Sequence, residues 1–441
     1  MSREQAAEII KTIKARGFRA YLVGGCVRDV LMGRTPEDWD IASSARPEQI
    51  MEIFGEKAIP TGLRHGTVTV KARDGLYEIT TFRTEGTYSD GRHPDTVSFS
   101  SSIEEDLSRR DLTINAMAMD DDGRVIDPFG GQKDLALRRI RCVGDPRKRF
   151  DEDALRILRA IRFASVLQFA VDPATVEAVH ARAGLLKRIA AERILAEMNK
   201  LLCGSGCREV LLDYPDVLGV FLPELLPCVG FDQRNIHHCF DLYTHIVYAT
   251  AAIRNDPILR WVMLLHDIGK VDTFTVDAAG QGPFFGHPDR SAAMSGGICT
   301  RLRVRGKDRG DTVTLVCLHC RNIPLQQNGV GRALLTLGEE NFRRLLEVKR
   351  ADNLAQAPEF HYVGSMLDEA EALLEDMLRK KRCLQIRDLA VDGNDLLALG
   401  YSGREIGQAL HALLQRVAAG EMANERTALL AALQERGPLL P

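Results

Sequence analysis

Asp38 and Asp40 stand two residues apart in Glu37-Asp38-Trp39-Asp40. In an extended chain, residues i and i+2 face the same side, so these two carboxylates point one way. Such a pair suits Mg²⁺ and, with it, a nucleoside triphosphate. Just upstream, Gly24-Gly25 lets a ligand lie close to the backbone. A helix starts directly after the glycines, with its free N–H groups facing whatever sits there. Arg28 lies in its first turn, placed to hold a phosphate. A lone Gly-Gly is ordinarily a turn, and a lone Asp-x-Asp is ordinarily a cap or a solvated pair. The order and spacing of the two together point to phosphate chemistry.

A second group of chemistry-bearing residues follows much later: His238, His245, His266-Asp267, His287, His319 and Asp352. One buried histidine is usually a satisfied core residue, but seven potential ligands in one segment exceed what a core needs. Imidazole with carboxylate suits a transition metal such as Mn, Ni or Fe, with Mg²⁺ as an alternative. His238 and His245 are seven residues apart, a spacing that predicts one helical face for both. Cys317-Leu-His-Cys320 has the spacing of half a zinc site, but no second C-x-x-C accompanies it.

A third pattern lies between them. Phe150 to Ser165 reads as one helix, with Asp153, Arg156, Arg159 and Arg162 recurring every third residue. A salt-bridged surface helix is the plain account. Leu155, Ile157, Leu158, Ile161 and Phe163 surround the stripe, however, so charges there need partners.

These groups need elements to hold them. Tyr21 to Val23 reads as a buried strand, Cys26 to Met32 as a helix, and the stretch after Thr35-Pro36 as a strand bearing Asp38 and Asp40. Residues 1–18 form an amphipathic helix with Ala7, Ile9, Ile10 and Ile13 on its apolar side. Pro47 to Gly55 reads as a helix, and Thr67 to Lys71 and Tyr77 to Phe82 as strands, the second showing Glu78 on one face. Arg83 to Ser98 is a loop by composition. Asp111 is placed to cap a helix over Leu112 to Met117. From residue 150 onward the periodicity is helical.

The whole is bounded by composition. A chain of 441 residues is expected to form roughly two to four domains. Its 45% hydrophobic and 27% charged content is that of a soluble globular protein. No apolar run approaches the roughly 20 residues that cross a bilayer, and the N-terminal stretch has acidic residues and helical periodicity, unlike a signal peptide. Ten scattered cysteines show no disulfide framework, which suits a reducing, cytoplasmic setting. The net charge of −3 gives no support for a nucleic-acid binder. The basic stretches at 138–149, 301–309 and 379–387 are solvated surface or, on the sharper reading, phosphate-binding stripes.

The run from Tyr21 to Ser44 resembles the nucleotidyltransferase core of the class II CCA-adding enzyme and bacterial poly(A) polymerase family. Leu107 to Met119 (LSRRDLTINAMAM) is similar to that family's second signature, and Glu152-Asp153-x-x-Arg156 to its base-reading EDxxR. The resemblance implies an α+β head with a mixed sheet over 1–140 and a helical neck over 141–205. A helical body over 206–364 and a tRNA-binding helical tail over 365–441 follow. It implies Asp38, Asp40 and Glu78 as catalytic carboxylates on two Mg²⁺ ions, and Gly25, Arg28 and Arg110 on the triphosphate. It also implies Asp111 on the sugar or on a structural partner, and a flexible loop at 83–98 linked to switching from C to A. Glu192-Arg193-Ile194 and Glu197 resemble a helix supporting the base-reading one, which would carry Asp153, Arg156, Arg159 and Arg162. Asn424-Glu425-Arg426 resembles part of the tail.

Cytosine and adenine each offer an amino donor beside a ring-nitrogen acceptor. An aspartate can accept from the first and an arginine donate to the second; uracil and guanine present the reverse. The order His…His-Asp…Asp resembles the HD phosphohydrolase superfamily, which implies His245, His266, Asp267 and Asp352 as metal ligands. His238, His287 and His319 are candidates for a second site. The activity implied is addition of C, C and A from CTP and ATP to a tRNA 3′ end. The alternatives are an A-adding or CC-adding enzyme, a poly(A) polymerase, and an HD phosphohydrolase with a nucleotide-sensing head.

Overall fold

The computed structural model describes residues 1–63, 66–86, 96–278, 281–323, 327–379, 383 and 385–436. They fall into two compact units, Met1–Leu226 and Pro227–Pro441.

The first unit is a mixed sheet with helices. Helix α1 (Arg3–Lys14), capped by Ser2, leads into β1 (Ala20–Val23), α2 (Gly25–Leu31), β2 (Ile41–Ser43) and α3 (Pro47–Phe54). Strands β3 (Ala58–Gly62), β4 (Thr67–Lys71) and β5 (Leu76–Thr81) follow, then the pair β6 (Arg83–Glu85) and β7 (Val97–Phe99). Next come α4 (Ile103–Ser108), β8 (Ala118–Met119), β9 (Val125–Ile126) and α5 (Gly131–Ala136). The seven-stranded sheet runs β3-β4-β5-β2-β1-β8-β9, with β2 and β5 parallel and the other neighbours antiparallel.

The sheet is buried on both faces, as strand alternation requires. Leu22 and Ile41 join Ile9, Ile10, Ile13 and Ile50 from α1 and α3 on one side. Val23 and Ala42 join Ile103 and Leu107 of α4 on the other.

Strand β10 (Arg139–Ile140) pairs in parallel with β11 (Ala170–Val171). Around them lie α6 (Pro146–Glu152), α7 (Leu155–Leu167), α8 (Pro173–Arg182), α9 (Ala191–Leu202), α10 (Cys207–Asp213) and α11 (Pro215–Gly219).

Three local expectations are corrected here. Asp38 and Asp40 precede the strand instead of lying in it, because β2 begins at Ile41. The alternation still holds: Trp39, between them, is buried in the α1–α3 core while both aspartates are exposed. Leu112 to Met117 is not an α-helix. Thr113 N–H donates to Arg141 O at 2.9 Å and Val143 N–H to Asp111 O at 3.1 Å, so pairing with 141–143 captures this backbone and leaves only a 3₁₀ turn. The helix expected over 150–165 is two helices. Asp153 is extended (φ −138°, ψ 106°) and its carboxylate accepts from Leu155 N–H at 3.0 Å, the cap that aspartate favours over a helix interior. Of the loop expected at 83–98, residues 87–95 lie outside those described, and the flanks pair as β6 and β7.

The second unit is helical. It contains α12 (Leu242–Ala252), α13 (Pro257–Leu265), α14 (Lys270–Thr273), α15 (His287–Arg301) and α16 (Gly306–Leu318). It continues with α17 (Gln327–Leu354, interrupted at Gly338), α18 (Val363–Arg379), α19 (Gly393–Ala398), α20 (Arg404–Ala418) and α21 (Arg426–Arg436). His238 sits in a turn before α12 and not on the helix with His245: the chain bonds back through Leu242 N–H to Phe231 O, and Asp241 caps α12. Among the described residues, no helix is long and apolar enough to cross a membrane, and none of the ten cysteines is joined in a disulfide.

Candidate functional site

A cleft of about 940 Å³ in the first unit gathers most of the candidate residues: Gly25, Arg28, Asp38, Asp40, Arg110, Asp153, Arg156, Arg159 and Arg162 all line it. Gly24 is held at φ +79°, and a Cβ there would come within 2.9 Å of Arg110 Nη1. The missing side chain is what lets Arg110 reach across the turn. Arg28 is fixed from two sides, its Nη1 donating to Asn115 Oδ1 at 2.8 Å and its Nε to Asp29 at 2.9 Å. Buried Asp106 anchors both Arg109 (2.8 Å) and Arg110 (3.2 Å).

Glu78 does not line the cleft. It lies on β5 opposite Thr69, exposed. The parallel register Ile41↔Ile79 brings its position alongside that of Asp40. The cleft walls desolvate Asp40 and raise its carboxyl above the usual value; Arg110 pulls it down, and Glu78 and Asp38 push it up. Acids that crowd one another in this way suit a cation.

On the other side of the cleft, Asp153 is held by Arg193 of α9 at 2.9 Å. Arg156 donates to Glu152 and to the carbonyls of Arg149 and Arg109. An alternating ladder runs behind them: Asp111 to Arg159 (2.6 Å), Arg159 to Glu197 (3.9 Å) and Glu197 to Arg162 (2.8 Å). Three guanidinium groups gather on Phe163, with Arg162 3.6 Å from the ring centre, Arg28 at 5.1 Å and Arg159 at 5.7 Å.

Burial alone would push the Asp111 carboxyl up, but Arg159 and the Leu112 amide outweigh it and hold it at about 2. A depressed carboxylate stabilises the fold fully above the ordinary value and loses that contribution as pH falls through the folded one. The window is therefore about pH 4 to pH 2. Asp111→Asn is expected to unfold more easily than wild type at neutral pH. The gap should narrow by on the order of 1 kcal/mol by about pH 3, read by urea unfolding. A gap constant through that window would mean that Asp111 is not the ionised partner of Arg159.

The second unit brings five of the seven candidate ligands around a sixth, the carboxylate of Asp267. Asp267 Oδ2 lies 3.3 Å from His245 Nε2 and 3.2 Å from His266 Nε2; its Oδ1 lies 3.4 Å from His287 Nε2 and 3.3 Å from His319 Nε2. Asp352 Oδ1 is 3.1 Å from His245 Nε2. All four Nδ1 atoms face backbone carbonyls, those of Ala355 (3.2 Å), Met263 (2.7 Å), Phe284 (2.8 Å) and Val316 (2.7 Å). Each Nδ1 therefore carries a proton and each Nε2 is turned toward the carboxylates, the orientation of metal-bound histidines. Four ligand atoms, from His245, His266, Asp267 and Asp352, lie within 4.8 Å of one another.

Gly269 makes this packing possible, since a Cβ there would meet Ser291 N at 2.6 Å. Burial lowers His266, but the Asp267 and Asp352 carboxylates outweigh it and raise it to about 10. The cluster pulls in protons where it holds no other cation. His238 stands apart from the carboxylate: its Nε2 meets Lys270 Nζ at 3.2 Å, and burial together with Lys270 pushes it down to about 2.

Several residues of these sites escaped the sequence reading. Asp106 could have been found from its spacing of three and four residues before Arg109 and Arg110. Lys270 is buried, with Nζ 2.6 Å from Asp267 Oδ2; its signal was a lysine just past an apolar run. Asn115 lies within the Leu107 to Met119 signature, but nothing in the sequence marks it as the partner of Arg28.

Residues 20–141 match the "Poly A polymerase head domain" family. Residues 168–228 match the "Probable RNA and SrmB- binding site of polymerase A", and 332–433 a tRNA nucleotidyltransferase second domain. The CCA-adding enzyme of Geobacillus stearothermophilus is 35% identical over 443 residues, covering 98% of this chain and 97% of that protein. The chain belongs to the CCA-adding enzyme family. The CCA-adding enzyme of Pediococcus pentosaceus is 37% identical over 437 residues, covering 98% of each. The crystal structure of the Bacillus stearothermophilus CCA-adding enzyme in complex with CTP superposes with a TM-score of 0.74 at 32% identity, covering 98% of this chain and 97% of that one. As a CCA-adding enzyme this chain is a nucleotidyltransferase, and the mixed sheet followed by helices is that family's architecture.

Proposed function

We propose that the chain adds C, C and A to the 3′ end of tRNA from CTP and ATP, choosing each base with side chains and without a nucleic-acid template. One observation carries this: a single cleft holds the aspartate pair, the arginines for phosphate and the Asp153–Arg156 pair together. The full-length likeness to CCA-adding enzymes supports it over the poly(A) polymerase alternative.

The work divides as follows. Asp38 and Asp40, with Glu78 beside them, would hold two Mg²⁺ ions, which would supply the charge that lowers the pKa of the attacking hydroxyl and steadies the departing pyrophosphate. Gly24 and Gly25 leave room for the triphosphate, and Arg28 and Arg110, each anchored by an acid or amide, bind it. In-line displacement asks for positioning and charge, not a covalent intermediate. Asp153 accepts from the amino group of cytosine or adenine and Arg156 donates to the ring nitrogen. Arg193, Glu152 and the backbone carbonyls hold both in place before a base arrives, while Arg159 and Arg162 line the wall behind them. The head is 1–140, the base-reading neck 141–205, the body 206–364 and the tRNA-holding tail 365–441.

Asp153→Ala and Arg156→Ala are each expected to slow addition and to admit UTP or GTP. A lost bidentate contact is worth about 1–3 kcal/mol of discrimination. Competition between CTP, ATP, UTP and GTP on tRNA transcripts ending before each of the last three nucleotides is the measurement. Equal slowing for every nucleotide, with selectivity unchanged, would remove these residues from base reading.

The convergence of four imidazoles on Asp267 supports a second reading of the same chain. His245, His266, Asp267 and Asp352 hold a divalent transition metal in an HD-type centre that cleaves phosphoesters, such as the 2′,3′-cyclic phosphate of a damaged tRNA end.

A further inference from the structure

Helix α9 presents a charge to α7 at each successive turn. Arg193 holds Asp153, and Glu197, one turn on, holds Arg159 and Arg162. Lys200, a further turn along, falls on the same face and lines the cleft. There the pattern breaks. The α7 residues lining the cleft at this level are Phe163, Val166 and Leu167, so no acid answers the lysine. Arg28, Arg110, Arg156, Arg159 and Arg162 are each tied to a carboxylate. Lys200, exposed in the cleft, is tied to none among the described residues. Arg34 shares that condition, but it stands on the exposed stretch between α2 and the aspartates.

The backbone under Lys200 is fixed. Ser165 Oγ of α7 donates to Leu201 O at 2.6 Å, and Gly206 N–H donates to Ser165 O at 2.8 Å. A Cβ on Gly204 would collide with Ser165 Oγ. The glycines after α9 therefore allow a close approach that sets the spacing of the two helices beside Lys200.

The order of residues along α7 gives the direction. Asp153 and Arg156 stand at its N-terminal end, and Arg28 lies against Phe163, 5.1 Å from the ring centre. Val166 is roughly 15 Å along the axis beyond Arg156, at the rise of an α-helix. A nucleotide with its base on Asp153 and Arg156 and its phosphates at Arg28 runs towards Lys200.

We infer that Lys200 binds the γ-phosphate of the incoming nucleotide and, after transfer, the departing pyrophosphate. This rests on the reading of the cleft as the site for CTP and ATP. As the 3′-oxygen bonds to the α-phosphorus, the bond from that phosphorus to the bridging oxygen breaks, and pyrophosphate leaves with the electron pair. The ammonium offsets the charge that pyrophosphate carries away. Because the contact is to phosphate, it serves CTP and ATP alike.

The test uses the full-length protein and tRNA transcripts lacking the last nucleotide or the last two, with ATP or CTP varied. Lys200→Ala is expected to raise KM for both nucleotides by about 10-fold, the low end for a hydrogen bond between charged groups. Inhibition by inorganic pyrophosphate should weaken by a similar factor. KM for tRNA and selection against UTP and GTP should match wild type. Lys200→Arg should recover most of the nucleotide affinity, which a general loss of packing would not allow. A raised KM for tRNA with both nucleotide KM values unchanged would overturn the inference and assign Lys200 to the RNA backbone. Wild-type kinetics in Lys200→Ala would also overturn it. If the wild-type chain adds nothing to tRNA but Lys200→Ala still weakens calorimetric binding of pyrophosphate, the inference stands and the tRNA-extending reading fails. Pyrophosphate that binds neither protein would remove both.

Discussion

Replacing Asp40 by alanine is expected to abolish nucleotide addition, by roughly 10³-fold or more, on the scale of removing a key electrostatic group from an active site. The reason is geometric. Asp40 shares a face with Asp38, lies alongside Glu78 across the β2–β5 register, and already feels the repulsion of both. The neighbouring Trp39, buried in the sheet core, gives a control: its fluorescence should match wild type if the fold survives. A variant that keeps about a tenth of wild-type addition of labelled CTP or ATP would show that the pair does not hold the catalytic ions.

The second large effect belongs to the other unit. His266→Ala combined with Asp267→Ala should eliminate metal-dependent phosphoester cleavage and leave CCA addition nearly untouched; Asp40→Ala should do the converse. Asp267 also pairs with buried Lys270, so the double variant leaves an uncompensated buried charge, which is costly. Asp352→Ala, which leaves Asp267 to pair with Lys270, is the gentler companion and should show the same loss. The assay is hydrolysis of cyclic and linear phosphates with Mn²⁺, Ni²⁺ or Mg²⁺. Metal bound with no turnover on any of them would leave a structural clamp, and chelation would then lower the melting temperature only.

What could be read in the sequence was whatever depends on neighbours along the chain. The Gly-Gly turn, the aspartate pair and the apolar strands follow from local spacing, and each lies within a residue or so of its expected place. What was misread depends on distant backbone. Leu112 to Met117 has helical periodicity, yet residues 141–143 offer a ladder that satisfies the same amides. The stripe from Asp153 to Arg162 looked continuous because its spacing is regular, and only the capping role of Asp153 breaks it. The histidines were visible as residue types, but the fixed tautomers come from carbonyls as far along the chain as Ala355. His238 shows the limit of spacing: seven residues from His245, it still lies off the helix.

The ladder Asp111–Arg159–Glu197–Arg162 has a consequence for how this protein can change. Each rung neutralises the next, so deleting any one leaves a neighbouring charge short of a partner, which is costly where the groups are buried. A single-letter change at 111, 159, 162 or 197 is therefore penalised whichever end it starts from. Only coordinated replacements keep the sum of charges, and the four positions should drift through evolution as one linked block, inherited together or exchanged together.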